Sequence, residues 1–115
     1  MAGTFSLAAR QAALDGILAA KVSLHSADPS TTGANYISAG GKQAATFNAA
    51  NGSAERVLNA DVTFTGLAPS ATVTYFGAWD SAGTGFLCGA ALTGDQAANA
   101  AGEYTLKGTT TKITA

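Results

Sequence analysis

Two side chains in this sequence carry chemistry that needs a partner to become useful, His25 and Cys88, and each is the sole representative of its type in 115 residues. An imidazole exchanges protons near neutral pH and ligates metals, and a thiolate is a nucleophile. His25 closes the run Val22-Ser23-Leu24-His25. Alternation puts it on the polar face of a strand, opposite Val22 and Leu24. That position predicts a solvated or locally hydrogen-bonded histidine, not a catalyst. Cys88 lies in Phe86-Leu87-Cys88-Gly89-Ala90, an apolar context that predicts a small buried hydrophobe. A single cysteine excludes an internal disulfide and any zinc site built on several cysteines. The carboxylates Asp15, Asp28, Glu55, Asp61, Asp80, Asp95 and Glu103 are scattered over loops and strand starts. Paired-carboxylate hydrolysis needs two of them in one cleft, and no motif brings two together. The loop Asp80-Ser-Ala-Gly-Thr-Gly85 lacks the further acidic positions of a calcium loop and reads as a hairpin turn. The glycines around Gly83 and Gly85 do not open a helix, so they fail the context test for a nucleotide loop. The expectation is no catalytic residue, no cofactor and no metal. The remaining candidates are aromatic: Tyr75 and Trp79, beside Phe76, form either core or a ligand-facing platform for a sugar.

The elements that must position these residues follow from composition and period. Alanine, glycine, threonine and serine fill 64 of the 115 positions, and only 11% are charged, with six basic against seven acidic residues. No basic excess exists to hold phosphates, which argues against nucleic acid and against an anionic membrane surface as partners. No leader-like apolar run opens the chain, since Arg10, Gln11 and Asp15 interrupt it, so synthesis in a cytoplasm without a signal peptide is expected. Residues 7–19 have helix-forming composition, capped by Ser6 or Thr4, with Leu7, Leu14, Ile17 and Leu18 on one stripe. Alanines fill the other side, which leaves no ordinary solvent face. From Val22 the period becomes two. Strands are expected at 22–25, 36–37, 43–47, 61–65, 72–79, 86–92, 103–107 and 109–114, separated by Gly-, Asn- and Asp-rich turns. The sum is a mainly β single domain over 1–115. An N-terminal arm and helix over 1–20 precede an antiparallel β-sandwich of seven or eight strands, jelly-roll-like or Ig-like, over 21–115.

The order of these pieces resembles a family of small tailed-bacteriophage virion proteins, described as tail-fibre-like. The resemblance rests on Leu24-His25-Ser26-Ala27-Asp28-Pro29, then Thr31-Thr32-Gly33-Ala34-Asn35, Gln43-Ala44-Ala45-Thr46-Phe47 and Asp61-Val62-Thr63-Phe64. It continues through Val73-Thr74-Tyr75-Phe76-Gly77-Ala78-Trp79-Asp80 and a Gly-rich hairpin into Phe86-Leu87 and Gly89-Ala90-Ala91-Leu92. The family places an aromatic and an arginine before the glutamine, where this chain has Gly41-Lys42. The resemblance implies a β-sandwich with a structural place in a virion, and it brings no catalytic residues. The expected partners are other virion proteins of the capsid or tail, with the chain a homo-oligomer or bound to a lattice through many weak contacts. Phe5, Leu7 and Leu14 are the candidate docking residues, being in or beside a helix with no solvent face. The alternative is a carbohydrate-binding sandwich that presents Tyr75 and Trp79.

Overall fold

The computed structural model describes residues 5–114. Helix α1 spans Leu7–Asp15, and the Ser6 hydroxyl caps it by accepting from the Ala9 amide at 3.2 Å. Thr4, the other candidate cap, lies outside the described residues. The helix ends four residues before its composition does. Gly16 bonds back to the Ala12 carbonyl and Ile17 to the Leu14 carbonyl, a tightened last turn. Beyond it Ala20 must join the sheet, where its amide donates to the Trp79 carbonyl and its carbonyl accepts from Ala45. The expected stripe therefore breaks up. Leu14 alone of the helix is buried, while Leu7 is 40% and Leu18 78% exposed.

Eight strands follow: β1 Lys21–His25, β2 Gln43–Ala44, β3 Glu55–Val57, β4 Val62–Phe64, β5 Tyr75–Trp79, β6 Phe86–Ala91, β7 Tyr104–Leu106 and β8 Lys112–Thr114. The main sheet has the order β2-β1-β5-β6 and every pairing in it is antiparallel. Two smaller antiparallel ladders pair β3 with β8 and β4 with β7. The described residues are thus mainly β, with one α-helix, a short 3-10 turn at Ser38–Gly40 and several antiparallel sheets. The strand expected at 36–37 reduces to one bridge between Tyr36 and His25. The strand β3 was not expected, because Glu-Arg-Val is short and charged and gains its place only from β8. Among the described residues no helix is long and apolar enough to cross a membrane.

Alternation along the central strands sorts their side chains. Val22 and Leu24 of β1, with Phe76 and Ala78 of β5, join one apolar cluster that also holds Phe47, Leu58, Phe64, Leu106, Ile113 and Leu14. Phe47 stacks on Phe76 at 6.4 Å between ring centres. The opposite face of the same strands is also closed, as described below.

Arg56 of β3 ties α1 to this body. Its guanidinium donates to the carbonyls of Ile17 (2.8 Å), Asn48 (2.8 Å), Phe47 (3.0 Å) and Leu14 (3.4 Å). Asp15 lies 4.0 Å from Arg56 Nε, and its carboxylate also accepts from the Ala50 amide. A planar fork with five donors suits this set of carbonyls, and an ammonium does not. Arg56→Ala should lower the unfolding free energy by about 2–4 kcal/mol, since several carbonyls lose a charged donor. Arg56→Lys should recover less than half of that loss. Urea midpoints at constant m-value measure both; a midpoint unchanged in Arg56→Ala would remove the anchoring role.

Candidate functional site

The second face of the main sheet carries Ser23 and His25 from β1, Gly77 and Trp79 from β5, and Phe86 from β6. Ser23 pairs with Gly77 across the ladder, and His25 with Tyr75. The missing side chain at Gly77 is what admits the imidazole. A Cβ there would stand 2.6 Å from His25 Nε2, 2.9 Å from Phe86 and 3.0 Å from Ser23 Oγ.

The polar atoms of this face form one chain. Trp79 Nε1 donates to Ser23 Oγ at 2.7 Å, Ser23 Oγ meets His25 Nε2 at 2.7 Å, and His25 Nδ1 meets the Ala34 carbonyl at 2.7 Å. The two ends fix the outer bonds, and the lowered pKa of the buried ring, which keeps it neutral, fixes the one between them. An indole N–H only donates and a carbonyl only accepts. Nδ1 therefore carries the proton, Nε2 accepts, and the Ser23 hydroxyl donates to it. His25 is neutral, in the Nδ1–H tautomer, and fully buried. Burial pushes its pKa below 6.5; the bond to Ala34 opposes this and the charge of Lys42 adds to it.

The loop 26–36 covers the face. Pro29 is fully buried, and Gly33 lies so close to Trp79 that a Cβ would come within 2.7 Å of the indole. Tyr36 tilts against both His25 and Trp79, with ring centres 5.9 Å and 6.2 Å away, and Phe86 meets Trp79 edge-on at 5.2 Å. Lys42 seals the rim. Its ammonium stands 3.6 Å over the Trp79 ring centre and donates to the Gly83 carbonyl. The turn that carries Gly83 is held by Asp80, whose carboxylate accepts from the amides of Gly83 and Thr84.

These placements revise several expectations. His25 is locally hydrogen-bonded as the strand pattern predicts, but not solvated, because the loop that follows the strand folds back over it. Trp79 is only 7% exposed and its N–H is spent on Ser23, so it offers no face to a ligand. Tyr75 is half-buried at the other end of β5. Leu14 is 1% exposed and belongs to the core, which withdraws it as a docking residue. Phe5 at 68% and Leu7 at 40% are exposed. Cys88 packs half-buried against the core, and burial raises its thiol pKa, so the thiolate a nucleophile needs is suppressed. Sequence reading missed Ser23 and Lys42; only the Ser-x-His spacing on one strand face pointed to the first.

A separate cleft of about 380 Å³ opens between β6, β7 and β8. Its charged groups are already engaged. Lys112 pairs with Glu55 at 2.9 Å, Lys107 with Asp61 at 3.6 Å, and Asn99 donates to Glu103 at 3.2 Å. Tyr104 donates to the Asp95 carbonyl, and burial, with Asp95 adding to it, holds its hydroxyl up at about 12. Among the described residues no three of His, Cys, Asp and Glu gather as a metal site would require.

No protein-family model, curated protein or solved structure matches the chain. The geometry alone therefore carries the assignment. The Ser23–His25 pair has the spacing of a nucleophile and its base, yet its face is sealed by Pro29, Tyr36 and Phe86, and Trp79 occupies the serine oxygen. It is a closed structural network. Ser23→Ala orphans the Trp79 N–H and His25 Nε2 together and should cost about 2–4 kcal/mol. Gly77→Ala should cost about 1–3 kcal/mol by overpacking. Thermal or urea unfolding measures both; a neutral Ser23→Ala would show that the chain of bonds contributes nothing net.

Proposed function

We propose that this chain is a non-enzymatic structural protein of a tailed-bacteriophage particle. It is an accessory subunit of the capsid surface or of the tail and fibre, and it works by multivalent docking. Its fold in this reading is a β-sandwich, with the β2-β1-β5-β6 sheet as one layer and the two smaller ladders facing it across the core.

One observation carries the docking role. Arg56 and Leu14 hold α1 firmly, yet Ala8, Ala9, Ala12 and Ala13 all remain exposed, flanked by exposed Phe5, Leu7 and Leu18. A rigid helix with an uncharged, small-residue outer face is poorly suited to water and well suited to close approach by another backbone. The occupant assigned to it is a second copy of this chain. The helix's one acid, Asp15, is taken up by Arg56 and the Ala50 amide, so two copies of the face meet without like-charge repulsion between carboxylates.

The resemblance to the phage family adds a second support. The residues that carry it, among them His25, Pro29, Gly77 and Trp79, converge on the sealed face. A motif that builds a covered sheet face is an architectural signature, and it fits a structural protein better than an enzyme.

Light scattering after size exclusion should give a closed oligomer whose mass holds across concentration. The double variant Phe5→Ser/Leu18→Ser should weaken association at least tenfold while shifting unfolding free energy by no more than about 0.5 kcal/mol, as befits exposed positions. Gradient-purified particles of the source phage should contain the protein in many copies. A strict monomer at high concentration would remove the helix as a self-contact, and absence from the particles would exclude the virion role.

A further inference from the structure

We propose that the loop 26–36 is an acid-releasable cover: protonation of His25 lifts it off the main sheet as one piece, exposing the Trp79 face while the apolar core on the other side stays folded.

The hydrogen-bond chain has room for only one proton between Ser23 and His25. In the cation both ring nitrogens donate, so the Ser23 oxygen would receive N–H groups from Trp79 and His25 at once. The hydroxyl proton would then have no acceptor among its present partners. The one charge bearing on the ring among the described residues is also positive, that of Lys42, and the one titratable ring against it is Tyr36. Phe86, which meets it edge-on from β6 at 6.3 Å between ring centres, carries no charge to compensate. The bond to the Ala34 carbonyl strengthens in the cation, but a single carbonyl does not replace the hydration of a buried charge.

Water can reach the ring by one economical route. On the far side of the sheet lies the apolar core. On the near side lies the loop, and the loop is largely bonded to itself. The amides of Gly33 and Ala34 donate to the Pro29 carbonyl, Ser26 to the Asn35 carbonyl, and the Asn35 side chain to the Asp28 carbonyl. Its polar ties to the body are few: the Ala34 carbonyl to His25, Thr74 Oγ1 to the Ser26 carbonyl and the Ile37 amide to the Leu24 carbonyl; the rest is packing, of Tyr36 against His25, Trp79 and Lys42, and of Pro29 and Gly33. A segment with internal bonds and few external ones opens as a unit, below the free energy of global unfolding.

The sign follows from linkage. Burial lowers the pKa of the closed state below 6.5. Above that pH His25 is neutral whether the loop is closed or open, and closure is unaffected. As the pH falls below it the open state takes the proton first, so closure weakens steadily toward the lowered closed-state value.

The chain supplies its own reporters, since it has one tryptophan and one histidine. Between pH 7.5 and 4.5, Trp79 emission should shift to longer wavelength with a midpoint below 6.5. The His25 ring proton, followed by NMR, should titrate with the same midpoint. Amide exchange of Val22, Leu24 and Phe76 should stay protected through it. His25→Gln, which can donate and accept but not titrate, should lose the transition, and Lys42→Gln should move the midpoint to higher pH. A fluorescence change that persists in His25→Gln would overturn the proposal. So would core amides that lose protection at the same midpoint, or a His25 titration with no change at Trp79. These wild-type readings decide the matter even if the glutamine variant does not fold.

Discussion

The structure depends on one constraint: the indole N–H of Trp79, the hydroxyl of Ser23 and the imidazole of His25 are removed from water together and must satisfy one another. Each alone would be a costly buried polar group. In series they are complete, because the chain starts on a group that only donates and ends on a carbonyl that only accepts. The series crosses from β5 to β1 and then to the loop that follows β1, so it joins two parts of the sequence more than fifty residues apart. Neutrality of the imidazole is a condition of that closure.

Around this line the protein is built from unusually small parts. Glycine at 77 gives the imidazole its space, and Gly33 lets the covering loop lie flat on the indole. The sheet face is covered by two aromatic rings, Tyr36 and Phe86, together with backbone, a proline and a lysine laid over the indole. The helix follows the same economy. It contributes a single core residue, Leu14, and is held by carbonyl contacts from Arg56 rather than by a broad apolar stripe.

Much of this was legible in the sequence where the information is local. The period of two found β1, β5, β6, β7 and β8 within a few residues, and it put Val22 and Leu24 on one face with His25 on the other. What escaped was set by distant partners. The helix stops at Asp15 because Ala20 is claimed by Trp79, which no local propensity encodes. Glu55-Arg56-Val57 is a strand only because β8 lies beside it, and Arg56 matters only because four carbonyls converge there. His25 reads as exposed on alternation alone, since alternation does not say which of two faces a loop will cover. Trp79 misleads for the same reason: an aromatic on the polar face looks like a platform until Gly33 and Tyr36 are seen to lie on it. The docking candidates divided along this line too, with Leu14 drawn into the core and Phe5 and Leu7 left outside.

The pairing of β1 with β5 also sets the order in which the molecule can come into being. Lys21 meets Trp79 and His25 meets Tyr75, partners 58 and 50 positions apart in the chain. A strand buried on both faces has no stable existence before its partner arrives. During synthesis the first half of the chain leaves the ribosome with β1 lacking its long partner β5, and with only the two residues of β2 and the bridge to Tyr36 to pair with. Loop closure over such a span slows folding relative to local contacts. The sheet can assemble only after Trp79 has emerged, at which point two strands, the loop and the hydrogen-bond chain can close together. A fragment cut before β5 would therefore lack more than its missing residues, because β1 would keep only its short pairing with β2 and lose the strand that closes both of its faces.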